Sequence, residues 1–337
     1  MFAPRRLVFA GGGTRCLVFL PALKILEQAG RLAHVGEWWG TSAGSLCATL
    51  MALTRSVARV EEIMHSTEYV KFRDVNLMNM MNIQNTWGLD DGRGLQQEIE
   101  AVLEKAVVGG SQKTMADVSG LRIVVADLTV YETVVCSAAN YPTLRVADAV
   151  RASMSLPIFY TPFRNPVNGH LWVDGGLRQG FPWECLESDD ARREALGFAF
   201  ERGWTNGPRT CMEYVFSMVH FEEPTRIRRM KAAWSDHIVW FPTPPFPPWY
   251  VRLTAEDFAM LREMGEAAAK DWLTRRSSPG ISESRLYSEH QSTPAPSRHH
   301  DGTDESSDSH PPSLRTSRPP FRDPQSRSAP SFRRWSL

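Results

Sequence analysis

Apolar residues along the chain fall into two kinds of run. The first kind is short and nearly unbroken, at 6–10, 121–128, 133–137, 171–174, 195–200 and 237–241. Runs of four to eight apolar residues bounded by turn residues read as buried strands. The stretch 34–39, ending in Trp38-Trp39, reads as another strand. The second kind has helical spacing, at 16–29, 45–53, 56–68, 95–107, 146–153, 210–234 and from Thr254 to about residue 275. Gly30 is a stop for the first of these helices, and Thr254 with Asp257 has the form of a cap for the last. Pro21 sits inside the first helix, where it must kink the helix or shift its start. Residues 88–94 and the part marked by Pro157, Pro162 and Pro166 read as loops.

Three turns stand where strands end. Gly40-Thr41-Ser42-Ala43-Gly44 follows the tryptophan pair and precedes a small apolar helix. Gly-x-Ser-x-Gly at a strand-to-helix junction is the form of a nucleophile elbow. The serine sits in a strained turn, and flanking glycines remove Cβ atoms that would clash. Gly11-Gly12-Gly13 follows the first strand directly. Converging backbone N–H groups there would bind an anion, either a pyrophosphate or the oxyanion of an acyl-transfer intermediate. The dinucleotide fingerprint wants a glycine where Cys16 stands, and no Gly-Lys-Ser/Thr follows, so the oxyanion role fits better. Asp174-Gly175-Gly176 ends the strand at 171–174. It exposes a carboxylate with room for close backbone approach, although a simple Asx turn has the same sequence.

Composition narrows the classes. The 337 residues contain 38 basic and 38 acidic side chains, so no basic face for nucleic acid is expected. Five cysteines (Cys16, Cys47, Cys136, Cys185, Cys211) show neither a disulfide framework nor metal-ligand spacing. Arg5-Arg6 followed by a short apolar run is not the form of a signal peptide, and no stretch approaches 18 apolar residues. A cytoplasmic or membrane-peripheral protein is expected. Residues 74–87 are rich in Met and Asn and would serve as a lid, as an acyl-chain surface or as ordinary packing. The proline- and aromatic-rich stretch 242–250 would be a rigid surface loop or a lipid-inserting one. From residue 277 Ser, Pro, Arg, His and Asp dominate, so the chain divides into a folded part, 1–276, and a tail, 277–337, expected to be disordered.

The three turns, in this order, resemble those of the patatin-like phospholipases: a Gly-Gly-Gly-x-Arg-Gly turn, a Gly-x-Ser-x-Gly elbow and an Asp-Gly-Gly/Ala turn. The stretch 148–157, Asp-Ala-Val-Arg-Ala-Ser-Met-Ser-Leu-Pro, is similar to the family's segment before its aspartate. Cys16 departs from the family's usual glycine, and Pro21 from a small residue. The resemblance implies a three-layer α/β/α fold with a mostly parallel central sheet. It also implies a Ser42–Asp174 dyad without histidine, flanked by elbow glycines Gly40 and Gly44 and by the acceptor turn Gly175-Gly176. Gly11, Gly12 and Gly13 would form the oxyanion hole, with Arg15 beside it holding the loop or adding positive potential. Asp174 would act as the base, its basicity raised by desolvation. His170, four residues before Asp174, is read as structural.

The expected activity is that of a serine lipid acyl hydrolase, of phospholipase A or lysophospholipase type, acting on a phospholipid or another acyl ester. The chemistry needs no metal or organic cofactor. Peripheral contact with a membrane surface is expected and binding of nucleic acid is not; oligomeric state is open. The alternatives are a catalytically silent lipid-binding or scaffold protein with the same fold, and a dinucleotide enzyme built on the glycine turn.

Overall fold

The computed structural model describes residues 2–75, 77–201, 210, 213–214, 217 and 223–277. The expected tail beyond Ser277 and most of the stretch 202–222, which includes the start of the helix expected from residue 210, lie outside the described residues. Chain order runs β1 (Arg6–Phe9), a 3-10 turn (Gly13–Val18), α1 (Phe19–Gln28), β2 (Glu37–Thr41), α2 (Ala43–Thr54) and α3 (Val57–His65). Then come α4 (Leu77–Met81), α5 (Ile83–Thr86), β3 (Gly88–Asp90), α6 (Arg93–Ala106), β4 (Leu121–Asp127), β5 (Glu132–Cys136) and α7 (Val146–Ser153). They are followed by β6 (Ile158–Tyr160), β7 (Phe163–Arg164), β8 (Leu171–Asp174), α8 (Gly176–Gln179), α9 (Asp189–Arg193) and β9 (Ala195–Phe200). The last described elements are α10 (Glu223–Trp234), β10 (Ile238–Phe241) and α11 (Ala255–Ser277).

The main sheet has the order β10-β9-β1-β2-β4-β8-β7, with β5 on the other edge of β4. The pairs from β10 to β4 are parallel, and those of β5, β7 and β8 are antiparallel. The parallel strands are unbroken apolar runs because both their faces are covered. On β9, Phe198 packs with Phe9 of β1 and Phe19 of α1 on one face. Its neighbour Gly197 points the other way, and a Cβ there would press on Phe181 and Trp183. Helical segments on both faces make an α/β/α sandwich with a mostly parallel sheet.

Differences from the sequence reading have local causes. Pro21 is accommodated because residues 13–18 wind as a 3-10 turn and α1 begins at Phe19. Proline then lies in the first helical turn, where its missing N–H removes no bond. The second strand starts at Glu37, three residues later than expected, and His34 stays in the preceding turn. β3 and β6, read as loops, pair in parallel with Gly88 opposite Ile158. Each is only three residues long, too short for an alternation pattern to register. The capping box at Thr254 forms as expected: Thr254 N–H donates to Asp257 Oδ2, and Asp257 N–H donates to Thr254 Oγ1. No helix among the described residues is long and apolar enough to cross a membrane.

Candidate active site

The sheet register brings the elbow and the aspartate together. β4 is paired with β5 along one edge, from Ile123 to Asp127. The opposite edge is shared by two strands. β2 takes Leu121 to Val124, and β8 takes Val125 to Asp127. β2 runs parallel to β4 and β8 antiparallel, so the two strands meet end to end. Thr41 stands opposite Val124 and Asp174 opposite Val125. Ser42 follows Thr41 directly, so its hydroxyl and the Asp174 carboxylate are set side by side by the hydrogen-bond ladder itself.

Ser42 caps the N-terminus of α2 with φ 52° and ψ −134°, a costly conformation for a non-glycine residue. The surroundings over-determine it. Its carbonyl accepts the N–H of Ser45 (2.8 Å) and the Ser45 hydroxyl (2.6 Å). Its own N–H donates to Ser153 Oγ (2.8 Å), which in turn donates to the Val124 carbonyl (2.6 Å). The flanking glycines are required by space. A Cβ at Gly40 would overlap the Gly44 carbonyl, and one at Gly44 would sit 2.6 Å from the Phe9 carbonyl oxygen.

Ser42 Oγ donates to Asp174 Oδ2 at 2.7 Å. Asp174 is 5% exposed. Its Oδ1 accepts the N–H of Gly176 (2.7 Å), and its N–H donates to the Ser155 carbonyl (2.9 Å). Ser155 is held by Arg151, which is buried and donates to Ser155 Oγ and to the Gly92 carbonyl (3.0 Å). Burial lowers the Arg151 pKa from its ordinary value.

The glycine turn lies across the elbow. A Cβ at Gly11 would stand 2.9 Å from Ser42 Cβ. The Gly11 N–H is taken by the Gly180 carbonyl (2.8 Å). The N–H groups of Gly12 and Gly13 have no acceptor among the described residues, and both glycines line the cavity. Arg15 and Thr14 tie the turn to the loop 242–250. Arg15 Nε donates to the Phe246 carbonyl (2.6 Å), Thr14 Oγ1 to the Tyr250 carbonyl (2.6 Å), and Thr14 N–H to the Pro248 carbonyl (3.1 Å). Burial brings Arg15 down to about 10, so it stays charged at neutral pH. The Cys16 thiol is buried, donates to the Ala10 carbonyl (3.4 Å), and is pushed well up in pKa by burial, so it acts as a packed neutral group.

These groups share one cavity of about 520 Å³. Ser42, Asp174 and the glycine turn stand against Leu46, Met64, Phe72, Met154, Leu156, Phe159, Phe181 and Met230. No histidine lines it among the described residues. His170 sits at the other end of β8 with Nδ1 2.7 Å from Asp127 Oδ2, four residues or roughly 13 Å along the strand from Asp174. Of the residues named from the sequence, Ser42, Asp174, Gly11, Gly12, Gly13, Arg15 and Gly176 line this cavity, while Gly40, Gly44 and Gly175 pack in the turns behind it. Ser153, Ser155 and Arg151 were not singled out, although they lie in the stretch 148–157.

The model of the patatin-like phospholipase family matches residues 7–186, and the chain belongs to that family. It is 24% identical to the uncharacterised protein YqhO of Bacillus subtilis (strain 168), over 79% of this chain and 98% of that one. It is 27% identical to patatin-like phospholipase domain-containing protein 6 of Mus musculus, over 55% of this chain and only 13% of that protein. Among solved structures, VipD from Legionella pneumophila aligns with a TM-score of 0.56 at 16% identity, covering 81% of this chain and 67% of VipD. At that identity the likeness concerns the fold.

Proposed function

We propose that the protein is a serine lipid acyl hydrolase that cleaves fatty-acyl esters with a Ser42–Asp174 dyad. The observation that carries this reading is the 2.7 Å hydrogen bond from Ser42 Oγ to Asp174 Oδ2 inside a largely apolar cavity. Asp174 takes the hydroxyl proton as Ser42 Oγ bonds to the ester carbonyl carbon. The carbonyl electron pair moves to oxygen, where the N–H groups of Gly12 and Gly13 and the N-terminus of α2 stabilise it. Gly11 permits the close approach of turn and elbow, its own N–H being committed to Gly180. The carbon–oxygen ester bond then breaks, and the alcohol leaves with the proton from Asp174. Water, deprotonated by Asp174, releases the fatty acid and restores Ser42. Arg15 holds the turn in place and adds positive potential. The apolar lining suits the acyl chain. The substrate is a phospholipid, a lysophospholipid or a related ester, reached by peripheral contact with a membrane.

A fluorophosphonate should label wild-type protein and leave folded Ser42→Ala and Asp174→Asn proteins unlabelled. Asparagine keeps the shape of the carboxylate and much of its hydrogen bonding but accepts no proton. Product analysis on a mixed phospholipid extract then identifies the ester cleaved. A folded wild-type protein that neither takes the label nor releases fatty acid would be a lipid-binding protein instead.

A further inference from the structure

Exposed apolar side chains are not scattered over this molecule. Twelve large ones stand exposed among the described residues. Six of them lie between Val70 and Trp87, and a seventh, Ile158, is paired through its backbone with Gly88. Met78 is 74% exposed, Met81 76% and Trp87 54%. Single exposed apolar residues are ordinary, but a concentrated group marks a surface that something covers.

The sequence of this piece is equally selective. Residues 75–89 carry no charged side chain at all, in a chain where 23% of residues are charged. What stands between the apolar residues is Asn, Gln, Thr and one glycine. Such a segment meets a medium of low dielectric without desolvating an ion. Tryptophan suits the head-group level of a bilayer, and methionine adapts to irregular apolar surroundings. Ile158 adds a backbone outlier: it is β-branched, exposed and held at φ 70°.

We infer that the segment Val75 to Trp87, with Ile158, is the face that seats the protein on a lipid–water surface. The choice of lipid over a protein partner follows from position and rests on the acyl-ester reading of the cavity. The flanking residues of the same two pieces, Phe72 and Arg73 on one and Phe159 and Tyr160 on the other, form one wall of the cavity that holds Ser42. A protein docked here would cover that side of the cavity. A bilayer docked here would supply it, because an ester leaving the lipid passes from one apolar surroundings to another.

The test uses the full chain carrying Ser42→Ala, so that vesicles are not consumed, and phosphatidylcholine vesicles in co-sedimentation. Replacing Met78 and Met81 together by serine should lower partitioning about tenfold or more. Replacing Val108 and Val167, exposed elsewhere, should leave it unchanged. In the Ser42 background Met78→Ser/Met81→Ser should keep hydrolysis of a soluble short-chain ester within a few-fold of wild type. Unchanged vesicle binding by a double variant of normal Tm overturns the inference. So does a mass by light scattering that falls from dimer to monomer on substitution while the parent protein binds no vesicles. Patch-dependent vesicle binding by a protein that hydrolyses no ester would sink the enzymatic reading and leave the surface standing.

Discussion

Ser42 is held in a conformation that its own side chain disfavours, and a hydroxyl 111 residues away is part of what holds it. Ser153 Oγ accepts the Ser42 N–H and donates its own hydroxyl hydrogen bond to the carbonyl of Val124, the residue opposite Thr41. This ties the elbow to the strand edge on which Asp174 is also mounted. Ser153→Ala would leave a backbone N–H and a backbone carbonyl without partners, at about 1–3 kcal/mol for a buried group. We expect kcat to fall at least tenfold with KM little changed, and Ser153→Thr, which keeps the hydroxyl, to restore most of it. A change confined to Tm, with kcat intact, would show that Ser153 only packs. The turns that carry Ser42 and Asp174 were legible in the sequence because glycines at a tight turn leave a visible trace. Ser153 was not, because its partner is a backbone group and no residue type marks such an acceptor.

At the level of elements, the strand runs were legible because strands buried on both faces are written as unbroken apolar stretches. What no run records is that β2 and β8 share one edge of β4 and meet end to end. The short pair β3 and β6 was hidden by its length and by the prolines after it. The glycine turn offers a test at this scale, since its neighbours Gly12 and Gly13 are glycines for different reasons. Gly12 (φ 168°, ψ 14°) lies outside the left-handed region, and the one close contact of an added Cβ would be the ring edge of Phe200 at 2.6 Å. Phe200 borders the cavity, so the ring can give way. Gly13 has φ 56°, and an added Cβ would overlap the Pro248 carbonyl. Gly12→Ala should therefore keep Tm within a few degrees while kcat drops, toward the roughly 10²–10³-fold loss typical of a misplaced oxyanion donor. Gly13→Ala should lower stability by about 1–3 kcal/mol, because strain and overlap fall on backbone. Thermal melts and steady-state kinetics on both proteins separate the two; a Gly12→Ala enzyme with full kcat would remove the turn from the oxyanion site.

Across the whole molecule, the antiparallel side of the sheet depends on a charged group placed well away from the cavity. Asp127, at the end of β4, is 2% exposed. Burial alone would raise its pKa. Hydrogen bonds from His170, from Trp172 Nε1 (2.9 Å) and from the Thr129 N–H (2.8 Å) outweigh that and hold it below the usual carboxylate value. A carboxylate with a depressed folded-state pKa contributes stability that is fully present above its unfolded value, about 3.9, and lost as pH falls through the folded value. Wild-type Tm should thus hold from neutrality down to about pH 4 with respect to this group and fall below it. Asp127→Asn should be less stable at neutral pH, by about 1.5–3 kcal/mol for a lost charged hydrogen bond. Its fall in acid should be shallower, because the titrating group is gone. Melts at a series of pH values check this, and parallel curves for the two proteins would show that Asp127 is not the acid-labile tie. The same cluster decides between the roles open to His170. As a structural partner of Asp127, His170→Gln should lower Tm and leave turnover per folded molecule within a few-fold of wild type. A collapse of turnover at unchanged Tm would instead make the imidazole part of the chemistry, against its place roughly 13 Å along β8 from Asp174.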